Sequence, residues 1–355
     1  MNINMQYPDM NRTFQLIICL FCLSVVAACQ QEEEMTVTAP ETVTLTLNIG
    51  TQSAGSASTR ADDPNVLAYE GIRTLRVLVI SDANDPKDRE ILYNKKHDID
   101  RNATPTSATL SASLTLPDIP VGMASIYLIA NEESIGMEYT DEVLTEDTYK
   151  DDNKLLLLDK GWQHFPKTYS DIAANGLPMS GRYEHVDINA KNTNISLTLE
   201  RAVVKLRLTV ENATSDELTL EWVKFGQFIS DRVYLFRQQN LDIPSNTLYK
   251  ELRYPETDSG TQNVTLAKQA QTQWRPVYVY PSFAYKDPTG ANPYTLSLKT
   301  DKKEYSPSLL SANINSMVRN TQFNILARIT ASATIQIEYS FVPWDKKDVD
   351  VPSFD

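Results

Sequence analysis

The sequence predicts a mostly β protein with two β-sandwich domains in tandem and minor helical insertions. Short segments in which apolar and polar residues alternate recur along the chain, and polar turn residues separate them. Long helical patterns are few, which favours sandwiches over an α/β architecture. The length of 355 residues corresponds to two domains of roughly 150 residues each.

The composition is that of a globular chain with an acidic surface. Hydrophobic residues make up 41% of the sequence and charged residues 22%. The net charge of −13 repels nucleic acid and anionic lipid, so neither is an expected partner. The sequence contains no GxGxxG or GxxxxGK[ST] pattern, which excludes the familiar phosphate-binding loops. We therefore expect no cofactor.

Residues 1–28 have the pattern of a lipoprotein signal peptide. Arg12 precedes an apolar run from Phe14 to Ala28, which has the length of a signal-peptide core and is short for a membrane span. The run ends in Val26-Ala27-Ala28-Cys29, which resembles a bacterial lipobox, so Cys29 is the predicted lipid attachment site. An ordinary secretory signal ending near a cysteine is the alternative. The acidic run from Gln30 to Glu34 resembles a surface-export signal or is a solvated tether.

Residues suited to catalysis or metal binding are scarce. The three cysteines, Cys19, Cys22 and Cys29, all lie near the N-terminus, so the rest of the chain has no disulfide and no thiolate site. The three histidines show no metal-binding spacing, and Ser180 lacks the GxSxG pattern of a hydrolase. Pairs such as Glu132-Glu133 are expected by chance among 46 acidic residues. We predict no catalytic residue, no metal site and a protein that is not an enzyme.

A strand is predicted shortly after the lipobox. Within Thr42–Ile49, apolar residues alternate with polar ones, which is typical of a strand with one buried face. The alternating apolar residues are Val43, Leu45, Leu47 and Ile49. The small polar residues from Gly50 to Thr59 predict a flexible loop.

A protease site is predicted at the end of this loop. Arg60 is the only basic residue between Cys29 and Arg73, so a trypsin-like or Arg-specific protease would have one accessible site there. Cleavage between Arg60 and Ala61 would release residues 29–60 as a leader. The alternative is that Arg60 is a surface charge in a linker.

The body of the chain is divided near Asn192 into an N-terminal domain, residues 61–192, and a C-terminal domain, residues 193–344. One or two short helices, or an irregular excursion, are predicted within Thr140–Leu158. Strands are predicted at Thr74–Ile80, Thr109–Leu116, Ile126–Ala130, Asn194–Val210 with a bend near Arg201, Leu218–Phe225, Val277–Tyr280, Tyr294–Leu298, Phe323–Ile329 and Thr334–Val342.

Residues 345–355 form a C-terminal tail with its own apolar pattern. Val349 and Val351 alternate with aspartates, and Phe354 follows Pro352. A proline suits an edge strand or a break. The tail either completes the sheet of the second domain or pairs with another molecule.

Several phrases together resemble the fimbrillin family, the subunits of type V pili in anaerobic Gram-negative bacteria. The resemblance depends on the order of these phrases along the chain behind a lipobox. The chain departs from the family pattern at two places: Val204-Lys205 stands where the family usually has Ala-Lys, and Phe323 stands where it often has tyrosine. The phrases are Tyr127-Leu128-Ile129-Ala130-Asn131, Leu177-Pro178-Met179-Ser180-Gly181, Leu199-Glu200-Arg201-Ala202-Val203-Val204-Lys205-Leu206, Tyr280-Pro281-Ser282, Arg319-Asn320-Thr321-Gln322-Phe323 and Val342-Pro343-Trp344.

The resemblance implies transthyretin-like sandwiches and an assembly route. A lipoprotein precursor, lipidated at Cys29, would reach the outer membrane surface, where an Arg-specific protease cleaves after Arg60. Loss of the leader strand would leave a groove that a neighbouring subunit fills. The groove would first hold Val43, Leu45, Leu47 and Ile49, and the donor side chains would be Val349, Val351 and Phe354.

The partners so implied are other copies of the chain, accessory fimbrial subunits and an adhesion receptor on a host or bacterial cell. A stalk subunit is the simplest interpretation, with a tip or anchor subunit as the alternative. A surface lipoprotein that binds glycan or a host protein is the other class considered, because aromatic side chains could stack on sugars, although in sandwiches they are more often core. Its candidate side chains are Trp162, Trp222, Trp274 and Trp344.

Overall fold

The computed structural model describes the greater part of the chain from Glu41 to Trp344. The described residues are 41–53, 56–57, 66–102, 104–140, 142–146, 167–168, 170, 172–237, 247–254, 263–283, 291–310, 314, 316–331 and 334–344.

Strands account for most of the described residues. The strands up to Arg201 are β1 (Thr42–Ser53), β2 (Ser56–Ala57), β3 (Thr74–Ser81), β4 (Ile91–Asp98), β5 (Ser111–Pro120), β6 (Gly122–Ala130), β7 (Lys167–Thr168), β8 (Met179–Ile188) and β9 (Asn194–Arg201). The later strands are β10 (Val204–Asn212), β11 (Leu218–Ser230), β12 (Tyr249–Tyr254), β13 (Val264–Leu266), β14 (Ala270–Gln273), β15 (Val277–Val279), β16 (Ser282–Phe283), β17 (Thr295–Thr300), β18 (Glu304–Leu309), β19 (Ser316–Met317), β20 (Thr321–Ile329) and β21 (Ile335–Pro343).

Helices are short within the described residues. One α-helix, α1, spans Ile172–Asn175. Three single 3₁₀ turns lie at Ala68–Glu70, Pro86–Asp88 and Glu132–Ile135. None of the described helices is long and apolar enough to cross a bilayer.

The strands up to Arg201, apart from β7, form one eight-stranded sheet around a common core. Its order is β2-β1-β9-β8-β6-β3-β4, and β5 also pairs with β1. Strands β8 and β9 share only the pairs Met179–Arg201 and Ser180–Glu200, so the sheet bends there into two parts, β5-β1-β9 and β8-β6-β3-β4. Apolar side chains of both parts, such as Leu45 and Leu128, pack into one buried cluster, which gives a sandwich.

The later strands enclose a second buried cluster. A six-stranded sheet has the order β21-β20-β10-β15-β7 with β14 on β10, and a five-stranded sheet has the order β12-β11-β17-β18 with β13 on β11. Strands β16 and β19 form a separate pair. Leu206 and Phe323 from the first sheet and Val223 and Leu298 from the second share this cluster.

The all-β sandwich prediction is confirmed, with one wrong boundary. The predicted strands are present, and the predicted bend near Arg201 separates β9 from β10. Gly50–Ser53 and Ser56–Ala57 lie within the predicted loop but are strand. Gly50 and Thr51 continue the pairing of β1 with its neighbours and bury Thr51, and Gln52 and Ser53 pair with Ala57 and Ser56 of β2. The predicted division into residues 61–192 and 193–344 stays a prediction, and most of the Thr140–Leu158 excursion lies outside the described residues.

Candidate functional site

The candidate site is the place that β1 occupies between β5 and β9. Antiparallel pairing with β5 runs from Thr42–Pro120 to Gly50–Ser111, with a register shift between Val43 and Leu45. Parallel pairing with β9 runs from Thr46–Asn194 to Thr51–Leu199. Among the described strands β5 pairs with β1 alone, so β1 holds β5 in the sheet.

The predicted leader side chains face the core. Leu45 and Leu47 have no exposed surface, Ile49 is 2% exposed, and Val43 is partly buried against the same cluster. Full burial of an aliphatic side chain contributes about 1.5–3 kcal/mol, so these three contribute roughly 4.5–9 kcal/mol before the cost of ordering the strand is subtracted.

Aliphatic residues of the neighbouring strands flank the inward face of β1. On β5, Leu116, Leu114 and Ala112 lie opposite Leu45, Leu47 and Ile49. On β9, Ile195, Leu197 and Leu199 lie beside Leu47, Ile49 and Thr51. We call the slot between these two rows the β1 groove. Directly opposed residues share one face of a sheet, so the groove is apolar along its length.

The outward face of β1 is polar and is tied to both neighbours by Asn48. Its Nδ2 donates to Asn194 Oδ1 of β9 at 2.6 Å, and its Oδ1 accepts from Ser113 Oγ of β5 at 3.0 Å. One exposed side chain thus bridges the strands on either side of β1 and favours a single register.

Loss of β1 would expose two strand edges at once. The backbone groups that β5 and β9 direct at β1 would have no strand partner, and the aliphatic rows of the β1 groove would meet water. Unpaired edges beside an apolar slot form a template for an added strand. The arrangement is therefore suited to binding a strand in place of β1.

The other predicted site residues lie outside the described residues. These are Cys29, Arg60, Ala61, Val349, Val351 and Phe354. Arg73, the next basic residue after Arg60, is described and packed. Its guanidinium donates to the carbonyl oxygens of Ala173 at 2.8 Å and Asn102 at 3.1 Å.

A buried polar network that the sequence did not reveal joins distant parts of the chain at Glu70. The carboxylate accepts from Lys205 Nζ at 2.7 Å, from Tyr278 Oη at 2.6 Å and from Trp344 Nε1 at 3.0 Å. Glu70 also closes its own 3₁₀ turn by accepting from the Leu67 amide at 3.0 Å. Both carboxylate oxygens are therefore hydrogen-bonded, which offsets the cost of burying the charge.

The Glu70 network is ionised at neutral pH. Burial acts to raise the pKa of Glu70, but the charge and hydrogen bond of Lys205 and the hydrogen bond of Tyr278 outweigh it, so this pKa lies below its usual 4.5. Burial lowers the pKa of Lys205 to about 8, against the opposing charge of Glu70. Neutral pH lies above the pKa of Glu70 and below that of Lys205, so the pair carries both charges there.

The Trp344 ring lies against two cations, Arg201 and Lys205. Its indole stacks on Tyr278 at 5.9 Å between ring centroids, and the Arg201 guanidinium carbon lies 4.9 Å from the Trp344 ring. Arg319, from the turn before β20, donates to the Leu235 carbonyl at 2.9 Å and reaches the Arg201 carbonyl at 3.5 Å. Trp344, the residue directly before the tail, is thus fixed in the core.

Where the structure describes them, the residues considered for glycan binding or catalysis make structural contacts. Trp344 is fully buried, Trp274 is partly buried against the second cluster, and Trp162 lies outside the described residues. Trp222 is partly buried beneath Arg253. Ser180 donates to the Leu235 carbonyl in a buried setting. Glu132 is bound by Arg76 through two hydrogen bonds of 2.7 and 2.8 Å.

Comparison with solved structures finds the same fold at low sequence identity. The tip fimbrial protein Mfa3 from Porphyromonas gingivalis, truncated at its C-terminus, aligns with a TM-score of 0.53 and 14% identity over 85% of this chain and 100% of that chain. A protein of Parabacteroides distasonis described as a candidate cell adhesion protein aligns with a TM-score of 0.52 and 12% identity over 84% of this chain and 96% of that chain. No family model and no curated protein matches the sequence.

Proposed function

We propose that the chain is a structural subunit of a fimbrium, exported as a surface lipoprotein and polymerised by strand exchange after cleavage at Arg60. In this function the segment containing β1 is a temporary occupant of the β1 groove. Cleavage releases it, and a strand from another subunit takes its place. The proposal makes the fimbrium, at the cell surface, the site of the assembled protein.

The position of β1 carries the proposal. Its inward side chains are buried, it separates two strands that both pair with it, and it lies on the N-terminal side of Arg60. A surface strand would leave no gap on removal, whereas this one vacates an apolar slot with two unpaired edges. The packing of Arg73 further supports Arg60 as the residue that is cut.

The fold likeness to the Mfa3 tip protein and to the candidate adhesion protein supports a fimbrial role in particular. Main-chain pairing in the groove supplies affinity, and alternate side chains supply specificity. The tail, with Val349, Val351 and Phe354, is the proposed donor. Because groove and tail are different surfaces of one chain, the contact does not close on itself and propagates as a fibre.

A stalk subunit needs both a groove and a donor, and this chain has a candidate for each. We therefore propose the stalk role first. A tip subunit would use only its groove, and an anchor would keep its lipid and supply only its donor.

The experiment is assembly of purified precursor after treatment with an Arg-specific protease. We expect a ladder of polymers that survives warm detergent from the wild type, and monomer from Arg60→Ala and from a chain lacking Val349–Asp355. Arg101→Ala, which removes an exposed arginine elsewhere, is the matched control and should polymerise. Polymers from both altered chains would contradict the proposal, as would an uncleaved, lipidated monomer that binds polysaccharide.

A further inference from the structure

The last inward-facing position of β1 carries a polar side chain. Val43, Leu45, Leu47, Ile49 and Thr51 follow one another at two-residue spacing along the face that meets the core. Thr51 has no exposed surface. It lies beside Leu199 of β9, and its backbone amide donates to the Leu110 carbonyl at 2.9 Å.

The hydroxyl of Thr51 is buried without compensation. Within the described part of the chain, Thr51 Oγ1 has no hydrogen-bond partner and no contact with solvent. A hydroxyl removed from water without a partner costs free energy that a methyl group of the same size does not. The backbone of Thr51 is paired with both neighbouring segments, so only its side-chain hydroxyl is unfavourable at this position.

The residue before Thr51 is also a weak choice for a strand. Gly50 lies in an extended conformation, and a Cβ placed on it would meet no atom within 4 Å. Glycine in a strand pays more backbone entropy than other residues and packs nothing. At its end nearest the predicted cleavage site, β1 therefore binds the β1 groove less tightly than a strand with better-suited residues at positions 50 and 51 would.

We infer that the Thr51 position of the β1 groove selects valine, the β-branched aliphatic side chain of the same shape as threonine, in the strand that replaces β1. This inference rests on the proposed strand exchange and names the chemistry of the incoming strand. That strand is extended, parallel to β9 and apolar at alternate positions. At this end the incoming strand binds more tightly than β1, because its aliphatic side chain buries no hydroxyl without a hydrogen-bond partner.

The first test is the thermal stability of the uncleaved chain. Thr51→Val should raise the unfolding midpoint by roughly 2–4 °C, because it removes the uncompensated hydroxyl and keeps the shape. Thr46→Val makes the same change on the outward face of β1 and should raise it by clearly less. An equal rise for both, or no rise for Thr51→Val, overturns the inference.

The second test is binding of labelled peptides, followed by fluorescence anisotropy, to the chain lacking Val349–Asp355 after protease cleavage and removal of the leader, so that neither the leader nor a donor tail occupies the groove. The peptides have the sequence of Thr42–Ser53, unchanged, with Thr51→Val, or with Thr51→Ser. We expect the Thr51→Val peptide to bind about ten-fold more tightly than the unchanged one, and the Thr51→Ser peptide to bind more weakly.

The outcomes separate this inference from the proposed function. Equal binding of all three peptides overturns the selection at Thr51 and leaves strand exchange standing. Binding by none of them overturns strand exchange, and the inference falls with it. The stability measurement on the uncleaved chain needs no exchange, so it identifies which of the two has failed.

Discussion

Glu70 and Lys205 form an ion pair of 2.7 Å in which neither side chain has any exposed surface. The two residues are 135 positions apart, and Lys205 is the second residue of β10. Trp344 donates to the same carboxylate. The Glu70 carboxylate therefore joins the first described segment after Arg60 to β10 and to Trp344, the residue before the proposed donor tail.

Replacement of one partner in the Glu70 network should be much more costly than replacement of both. Glu70→Gln leaves the Lys205 charge buried without a counter-ion, and we expect a loss of about 3–5 kcal/mol in the free energy of unfolding at pH 7. Adding Lys205→Met to Glu70→Gln removes that charge and should recover part of the loss. Urea denaturation measures both values, and a double variant less stable than the single one would contradict the assignment.

The cost of Glu70→Gln should depend on pH. The folded pKa of Glu70 lies below 4.5, so in acid the unfolded chain takes up a proton at this residue before the folded chain does. The stability that the ionised carboxylate contributes is complete above pH 4.5 and is lost as the pH falls through the folded pKa. The difference between wild type and Glu70→Gln should therefore shrink as the pH falls below 4.5. A constant difference down to the acid limit of folding would contradict the pKa direction.

Substitutions in β1 should change the free energy of unfolding before the leader is removed and should have no effect after its removal. Leu47→Ala removes a fully buried side chain and should destabilise the uncleaved chain by about 2–5 kcal/mol. Thr44→Ala, at an exposed position of the same strand, should cost well under half of that. Once the leader is cleaved and removed, all three proteins should unfold at the same urea concentration, because the changed residue is gone. A difference that persists would show that β1 stays in the groove.

Much of the fold was predictable because apolar and polar residues alternate along a strand that has one buried and one exposed face. Strands such as β1 and β20 bury one face and leave the other in contact with solvent, so their sequences alternate. Strand β4 was missed because it lies at a sheet edge, where Asn94, Lys95 and Lys96 interrupt the apolar pattern. Strand β8 was missed for a related reason, since its middle residues are half-exposed and polar.

The Glu70 network was not predictable from local pattern, because its partners lie 135, 208 and 274 positions away. The phrases that resemble the fimbrillin family contain other residues whose contacts lie far away in the sequence. Asn131, for example, adopts a left-handed backbone conformation, and its side chain accepts from the Arg73 amide and donates to the Leu177 carbonyl. Such phrases record contacts between strands that no single segment can reveal.

Gly181, which closes one of those phrases, should tolerate no side chain. A Cβ there would lie 2.4 Å from the backbone carbonyl oxygen of Thr198 on β9, the strand that forms one wall of the β1 groove. Gly181→Ala must therefore push β8 and β9 apart, and we expect it to cost about 1–3 kcal/mol in the free energy of unfolding. Gly50→Ala is the matched control, because its Cβ meets open space and alanine should there add about 0.5–1 kcal/mol. A decrease in the free energy of unfolding for Gly181→Ala together with an increase for Gly50→Ala would support the close approach of β8 and β9. A Gly181→Ala variant as stable as the wild type would contradict it.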